Sequence, residues 1–216
     1  MSFKILIHPE TRQGCQKSIY KYAMWEPIIT KLVMDILEPG QTFIDVGAAN
    51  GWFSLIAASI VGERGKVIAF EPNPTRFKML LKGAQMNGFT NLTASDKALS
   101  YQEGTAFIGG RCMGEISESG IRIVTTTLDH FLAKEGIEEV HLVKIDVEGV
   151  EQNVLKGMIR TVENNPSMKI ICELHPRLLE RYGDTQEGLL GYVKAQLKLK
   201  VKHIEWRYWL FIGEMI

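Results

Sequence analysis

The chain has 216 residues, 45% of them hydrophobic and 23% charged, which suits one ordinary domain with a sizeable core. Lys plus Arg equals Asp plus Glu at 25 each, so the formal net charge is zero, which argues against a general polyanion binder. Cys15, Cys112 and Cys172 are far apart and odd in number, so neither a zinc knuckle nor a disulfide framework is suggested. The first residues, which include His8, Pro9, Glu10 and Arg12, lack the apolar core of a signal peptide, and no apolar run is long enough to span a bilayer. A reducing, cytoplasmic setting is the default expectation, with no membrane partner.

In chain order, Ile28 to Leu37 predicts an amphipathic helix stopped by Pro39-Gly40. Thr42 to Val46 is a short apolar strand running into glycines, and Trp52 to Val61 is helical in pattern. Gly62 and Gly65 bracket a turn before a second strand, Lys66 to Phe70. Thr75 to Asn87 predicts a helix ended by Gly88, and Leu92 to Ser95 a third strand. Strand, glycine turn and helix thus repeat in the rhythm of βαβ units on a parallel sheet.

Ser100 to Thr127 breaks that rhythm. It carries Gly104, Gly109, Gly110, Gly114 and Gly120 among scattered Ser and Glu, and reads as an excursion over the sheet edge that forms a substrate wall. Leu142 to Val147 and Lys169 to Leu174 are two further strong strands, separated by the helix-like Val150 to Val162. Val201 to Ile212 predicts a closing antiparallel hairpin that turns at Glu205 to Arg207. The expected class is α/β, a doubly wound and mostly parallel sheet.

The most informative stretch is Asp45-Val46-Gly47-Ala48-Ala49-Asn50-Gly51-Trp52, which joins a strand to a helix through small residues. Gly47 permits a tight turn and Gly51 lets the next helix start against a ligand. The spacing acid-x-Gly-x-x-x-Gly differs from the dinucleotide Gly-x-Gly-x-x-Gly and suits a nucleoside with an amino-acid tail and no pyrophosphate. Glu71 closes the second strand, 26 residues after Asp45, with Pro72-Asn73-Pro74 behind it. A carboxylate there can accept both ribose hydroxyls. Asp96, followed by Lys97-Ala98, closes the third strand and could accept from an adenine amino group while a backbone amide pairs with the ring.

The runs DVGAANGWFSLIAA, VGERGKVIAFEPNP, TTLDHFL and VKIDVEGVEQNVLKG occur in an order that resembles the FkbM-type methyltransferases, over about Trp25 to His175. The resemblance implies a Rossmann-like seven-stranded sheet, S-adenosylmethionine as methyl donor, and hydroxyl groups of sugars or natural products as acceptors. Trp25-Glu26-Pro27 also resembles a family feature, which makes Glu26 a candidate for the methionine amino group. The cofactor site expected on this reading comprises Glu26, Asp45, Gly47, Ala48, Asn50, Gly51, Phe53, Glu71, Pro72, Asn73, Asp96, Lys97, Ala98 and Asp146. Residues 1–37 are then an N-terminal arm and helix, and 38–216 the methyltransferase domain. The partner is a small-molecule or glycan acceptor, with no nucleic acid.

Lys144, Asp146 and Glu148 alternate out of the fourth strong strand, as Glu173 and His175 do at the end of the next. Period-two geometry puts each set on one face if the strand persists, and neighbouring strands lie about 4.8 Å apart. Charges inside an apolar parallel strand are costly unless paired, so Lys144 reads as an ion-pair anchor for Asp146 or Glu173. His175 is the natural base by its ordinary pKa, with Asp146, Glu148 and Glu173 as the other catalytic candidates. These four could also hold a divalent cation, but no spacing motif demands one, and the site is read without metal. Three rival readings are a nicotinamide oxidoreductase, a nucleic-acid or protein N-methyltransferase, and a non-catalytic binding module of the same fold. The glycine spacing speaks against the first. Asp146-Val147-Glu148-Gly149, in place of an Asn/Asp-Pro-Pro-aromatic turn, speaks against the second.

Overall fold

The computed structural model describes residues 3–7, 14–109 and 115–213. His8, Pro9, Glu10, Arg12, Gly110, Cys112 and Gly114 lie outside the described residues. Two helices, α1 (Gly14–Tyr22) and α2 (Pro27–Ile36), lead into the alternation β1 (Thr42–Val46), α3 (Trp52–Val61), β2 (Lys66–Phe70), α4 (Pro74–Asn87) and β3 (Leu92–Ser95). α4 shows why the sequence starts and stops a helix where it does. The Asn73 side chain accepts from the amides of Thr75 and Arg76 at 3.0 and 3.2 Å, Pro74 fills the first turn, and Gly88 closes the helix.

The excursion then builds a sheet of its own from β4 (Ala98–Leu99), β5 (Gly104–Gly109), β6 (Glu115–Ser117) and β7 (Ile121–Thr126), in the order β4-β7-β5-β6. The chain returns through α5 (Leu128–Glu135), β8 (Leu142–Ile145), α6 (Glu151–Lys156), α7 (Ile159–Asn164) and β9 (Lys169–Glu173). It ends with α8 (Pro176–Arg181), α9 (Gln186–Ala195), β10 (Leu199–Glu205) and β11 (Tyr208–Gly213).

The main sheet has seven strands in the order β10-β11-β9-β8-β1-β2-β3. Five of them are parallel, and β11 runs antiparallel to both β9 and β10, so the expected α/β sheet with a closing hairpin is present. Alternate residues of the inner strands feed opposite layers. Phe43, Val67, Leu142 and Ile171 pack against Ile19, Ile29, Val33 and Trp52 of α1 to α3. Ile44, Ile68, Val143 and Ile170 pack against Leu128, Leu155, Leu189 and Val193 of α5, α6 and α9. Burial on both faces is why these strands read as continuous apolar runs, and each buried Leu or Ile contributes about 1.5–3 kcal/mol. Because β2 and β3 lie on one side of β1 and β8 on the other, the connections diverge and open a crevice beyond the carboxyl ends of β1 and β8.

Three expectations are corrected. The strand expected through Val147 ends at Ile145, because Glu148 (φ 53°) and Gly149 (φ 100°) are left-handed and turn the chain under α8. A side chain on Gly149 would sit 2.5 Å from Leu178 Cβ. Lys144, Asp146 and Glu148 therefore do not share one strand face. The helix expected from Val150 to Val162 is broken into α6 and α7 because Met158 (φ −131°, ψ 24°) leaves helical geometry, next to a Gly157 whose missing Cβ admits the Ser100 carbonyl. The hairpin begins earlier, at Leu199, and turns tightly at Trp206-Arg207. No helix among the described residues is long and apolar enough to cross a membrane.

Candidate active site

The turn after β1 is shaped by backbone hydrogen bonds before any side chain acts. Gly47 and Ala48 both donate to the Phe70 carbonyl at 3.0 Å, and Gly51 donates to Ala48 at 2.8 Å. Gly47 (φ 83°) lies against β8: a Cβ there would be 1.9 Å from the Asp146 carbonyl oxygen, so only glycine fits. Glu71 braces the turn from β2. One carboxylate oxygen accepts from the Ala49 amide and the other from the Asn73 amide, each at 2.8 Å. Burial pushes the Glu71 pKa up, against Arg76 and these two amides.

Of the residues assigned to the cofactor, Glu26, Gly47, Ala48, Asn50, Phe53, Glu71, Pro72, Lys97, Ala98 and Asp146 line one cavity of about 970 Å³. Asp45, Gly51, Asn73 and Asp96 lie outside its lining. Asp45 is buried under the turn and accepts from the Ser54 hydroxyl, which ties the first turn of α3 to β1; its other oxygen has no partner among the described residues. Gly51 starts α3 against Leu80, Asn73 caps α4, and Asp96 is exposed. Asn50 donates to the Leu6 carbonyl at 3.1 Å, so the N-terminal segment closes over the turn. Glu26 sits in a left-handed conformation (φ 42°) at the start of α2, with one buried oxygen lacking a partner among the described residues. Burial raises its pKa to about 7, outweighing the opposing Lys144 charge.

At the carboxyl ends of β8 and β9 the catalytic candidates meet. His175 is 5% exposed, and its Nε2 faces Glu173 at 3.5 Å, Glu148 at 3.6 Å and Asp146 at 3.9 Å. Its Nδ1 is 2.7 Å from Glu151. Burial disfavours the imidazolium, but the Glu151 hydrogen bond and the charges of Asp146 and Glu173 outweigh it and raise the His175 pKa above its ordinary value. Glu148 reaches the cluster although its backbone has left the strand. Lys144 is 2% exposed, 3.3 Å from Asp146 and 4.6 Å over the Phe53 ring. Its ammonium is held charged despite burial by Asp146, Glu26, Asp45 and Glu173. The hairpin adds Arg207, paired with Glu173, and the Tyr208 hydroxyl, which donates to Glu173 at 2.7 Å.

Glu151, Arg207 and Tyr208 are not among the site residues expected from the sequence. The far wall of the cavity comes from the second sheet, through Ile108, Ile116, Ile123 and Thr125. Two contacts fasten that sheet to α8: Arg181 to Glu115 at 2.6 Å, and the Tyr182 hydroxyl to the Ile116 carbonyl at 2.7 Å.

The seven-stranded sheet in this order is the fold of solved Rossmann-like methyltransferases, and the class is shown by a family match that covers most of the chain. The chain matches the Methyltransferase FkbM domain over residues 45–211 and belongs to that family. It is similar to the hexuronic acid methyltransferase AglP of Haloferax volcanii, 27% identical over 157 residues, which cover 69% of this chain and 62% of that protein. The chain thus spans less than two thirds of that relative's length. Among solved structures it resembles a SAM-dependent O-methyltransferase from Thermotoga maritima (TM-score 0.54, 13% identity, 94% of this chain and 72% of the other). It also resembles an rRNA methylase from Streptococcus thermophilus (TM-score 0.54, 12% identity, 87% and 93%). At these identities the structural likeness is one of fold.

Proposed function

We propose that this chain transfers a methyl group from S-adenosylmethionine to an acceptor hydroxyl of a sugar, glycan or other small molecule. The observation that carries the reading is that one cavity joins the braced glycine turn and Glu71 to His175 and its three carboxylates. The residues fit the cofactor. The Glu71 oxygens each accept one backbone amide and keep lone pairs for ribose hydroxyls. The unpartnered Glu26 oxygen suits the methionine ammonium, and Lys97-Ala98 flanks the adenine end. When bound, the cofactor supplies an electrophilic methyl on a positively charged sulfur.

His175 Nε2 takes the acceptor's hydroxyl proton as the new carbon–oxygen bond forms and the sulfur–methyl bond breaks. Asp146 and Glu148 orient the hydroxyl, and the isoleucines of the second sheet keep water from the reacting atoms. The cavity lining carries the carboxylates Glu26, Glu71, Asp146, Glu148, Glu173 and Glu205 against the cations Arg76, Lys97, Lys144 and Arg207, an acidic balance that matches a nucleic-acid backbone poorly.

Calorimetric titration tests the cofactor assignment. Glu71→Ala is expected to weaken S-adenosylmethionine binding by about 2–4 kcal/mol, the value of two hydrogen bonds to a charged acceptor. No binding heat from the wild-type protein, or an unchanged affinity in the folded variant, would refute it. Methyl transfer to a uronic acid, a neutral hexose and a hydroxylated aromatic, against a single-stranded RNA, tests the acceptor class. Transfer to the RNA alone would overturn the hydroxylated small-molecule reading.

A further inference from the structure

Two of the cavity groups are held by a carboxylate that does not line the cavity. Glu151, the first residue of α6, is fully buried. A single oxygen, Oε1, accepts from the Gly149 amide at 3.0 Å and meets His175 Nδ1 at 2.7 Å, while Oε2 has no partner among the described residues. Burying a charge with an idle oxygen disfavours folding, and its compensation is the contact with the imidazole.

We propose that Glu151 is a positioning residue: it holds the proton of neutral His175 on Nδ1, turns Nε2 toward the acceptor, and through Gly149 fixes Glu148 beside it. The proposal rests on His175 as the proton acceptor of the reaction described above. The argument for it is a competition between the two ring nitrogens. Nε2 faces Asp146 and Glu148 from the loop after β8 and Glu173 from β9, all at 3.5–3.9 Å. Lys144 and Arg207 pair with Asp146 and Glu173 and temper their pull. Without Glu151 those three carboxylates would draw the single proton of neutral imidazole to Nε2 and block it as a base. Among the described residues Glu151 is the one carboxylate hydrogen-bonded to the ring, so the proton stays on Nδ1 and the Nε2 lone pair stays free. The same oxygen braces the left-handed Glu148-Gly149 pair, so the imidazole and the loop keep a fixed relation.

Nitrogen NMR of protein labelled with 15N-histidine tests this, with the His175 signals assigned by their loss in His175→Gln. Above the His175 titration, the wild-type ring is expected to be protonated at Nδ1. In Glu151→Gln the proton moves to Nε2, kcat falls about 10- to 100-fold, part of what a positioned base supplies, and cofactor affinity stays within about twofold. The rising limb of the pH–rate profile shifts to lower pH, because losing the anion disfavours the imidazolium. A wild-type ring protonated at Nε2 overturns the proposal even if the variant does not fold. So does a folded Glu151→Gln with unchanged ring signals and pH limb. Full turnover in His175→Gln would overturn the catalytic reading instead, so the two failures are told apart.

Discussion

Replacing His175 by alanine is expected to lower kcat by about 10²–10⁴-fold, the contribution of a positioned general base, with cofactor affinity kept within about twofold. Affinity is spared because the hydrogen bonds that brace the glycine turn run to Glu71 and Phe70 and none of them involves His175. The pH profile supplies the sign. A base must be unprotonated to act, and the His175 pKa lies above the ordinary 6.5, raised by Glu151, Asp146 and Glu173 against the effect of burial. The wild-type rate therefore climbs with pH through a limb above 6.5, and the variant loses that limb. Steady-state kinetics from pH 5.5 to about 9 read both effects. Turnover is expected to survive a chelator, because Lys144, Arg207 and His175 already set positive charge against Asp146 and Glu173. Near-normal turnover of His175→Ala with the limb intact would transfer the proton step to a carboxylate.

Lys144→Met is expected to cost about 3–5 kcal/mol of stability at pH 8, the usual result of removing one member of a buried ion pair. Methionine keeps the length and the packing against Phe53 but leaves Asp146, Glu26, Asp45 and Glu173 without their shared counter-charge. Those carboxylates then rise in pKa in the folded state. A folded state that binds more protons than the unfolded chain loses stability as pH rises, so the loss should be smaller at pH 5 than at pH 8. Urea unfolding at both pH values measures it. A small loss with no pH dependence would mean that Lys144 contributes packing alone.

Much of the scaffold was legible because β1, β2, β8 and β9 are buried on both faces and leave uninterrupted apolar runs. The glycine turn could be read because Gly47 and Gly51 occupy positions where a Cβ would collide with Asp146 or Leu80. Three helices were not read. α8 has six residues, too few to show a 3.6-residue period, and α1 has a single buried apolar side chain among its described residues, Ile19. α9 was within reach, with Thr185 as its cap and Leu189 and Val193 on one face. His175, Asp146, Glu148 and Glu173 do come together, but Glu148 arrives through a left-handed turn rather than along the strand. Glu151 and Tyr208 escaped because their roles depend on contacts 24 and 35 residues distant, which no local pattern encodes.

The fastening of the second sheet to α8 bears on how acceptor range can change. α8 begins directly after His175, so the contacts Arg181–Glu115 and Tyr182–Ile116 connect the second sheet to the histidine through about one and a half turns of helix. The excursion is thus not a freely exchangeable module. A chimaera whose imported wall lacks an acid at position 115, or does not bring the main-chain carbonyl of position 116 to Tyr182, loses these contacts with α8 and the residue that follows it. Grafts that widen substrate scope in this scaffold should therefore be cut from residues 98–126 together with 175–182, as a single transplant.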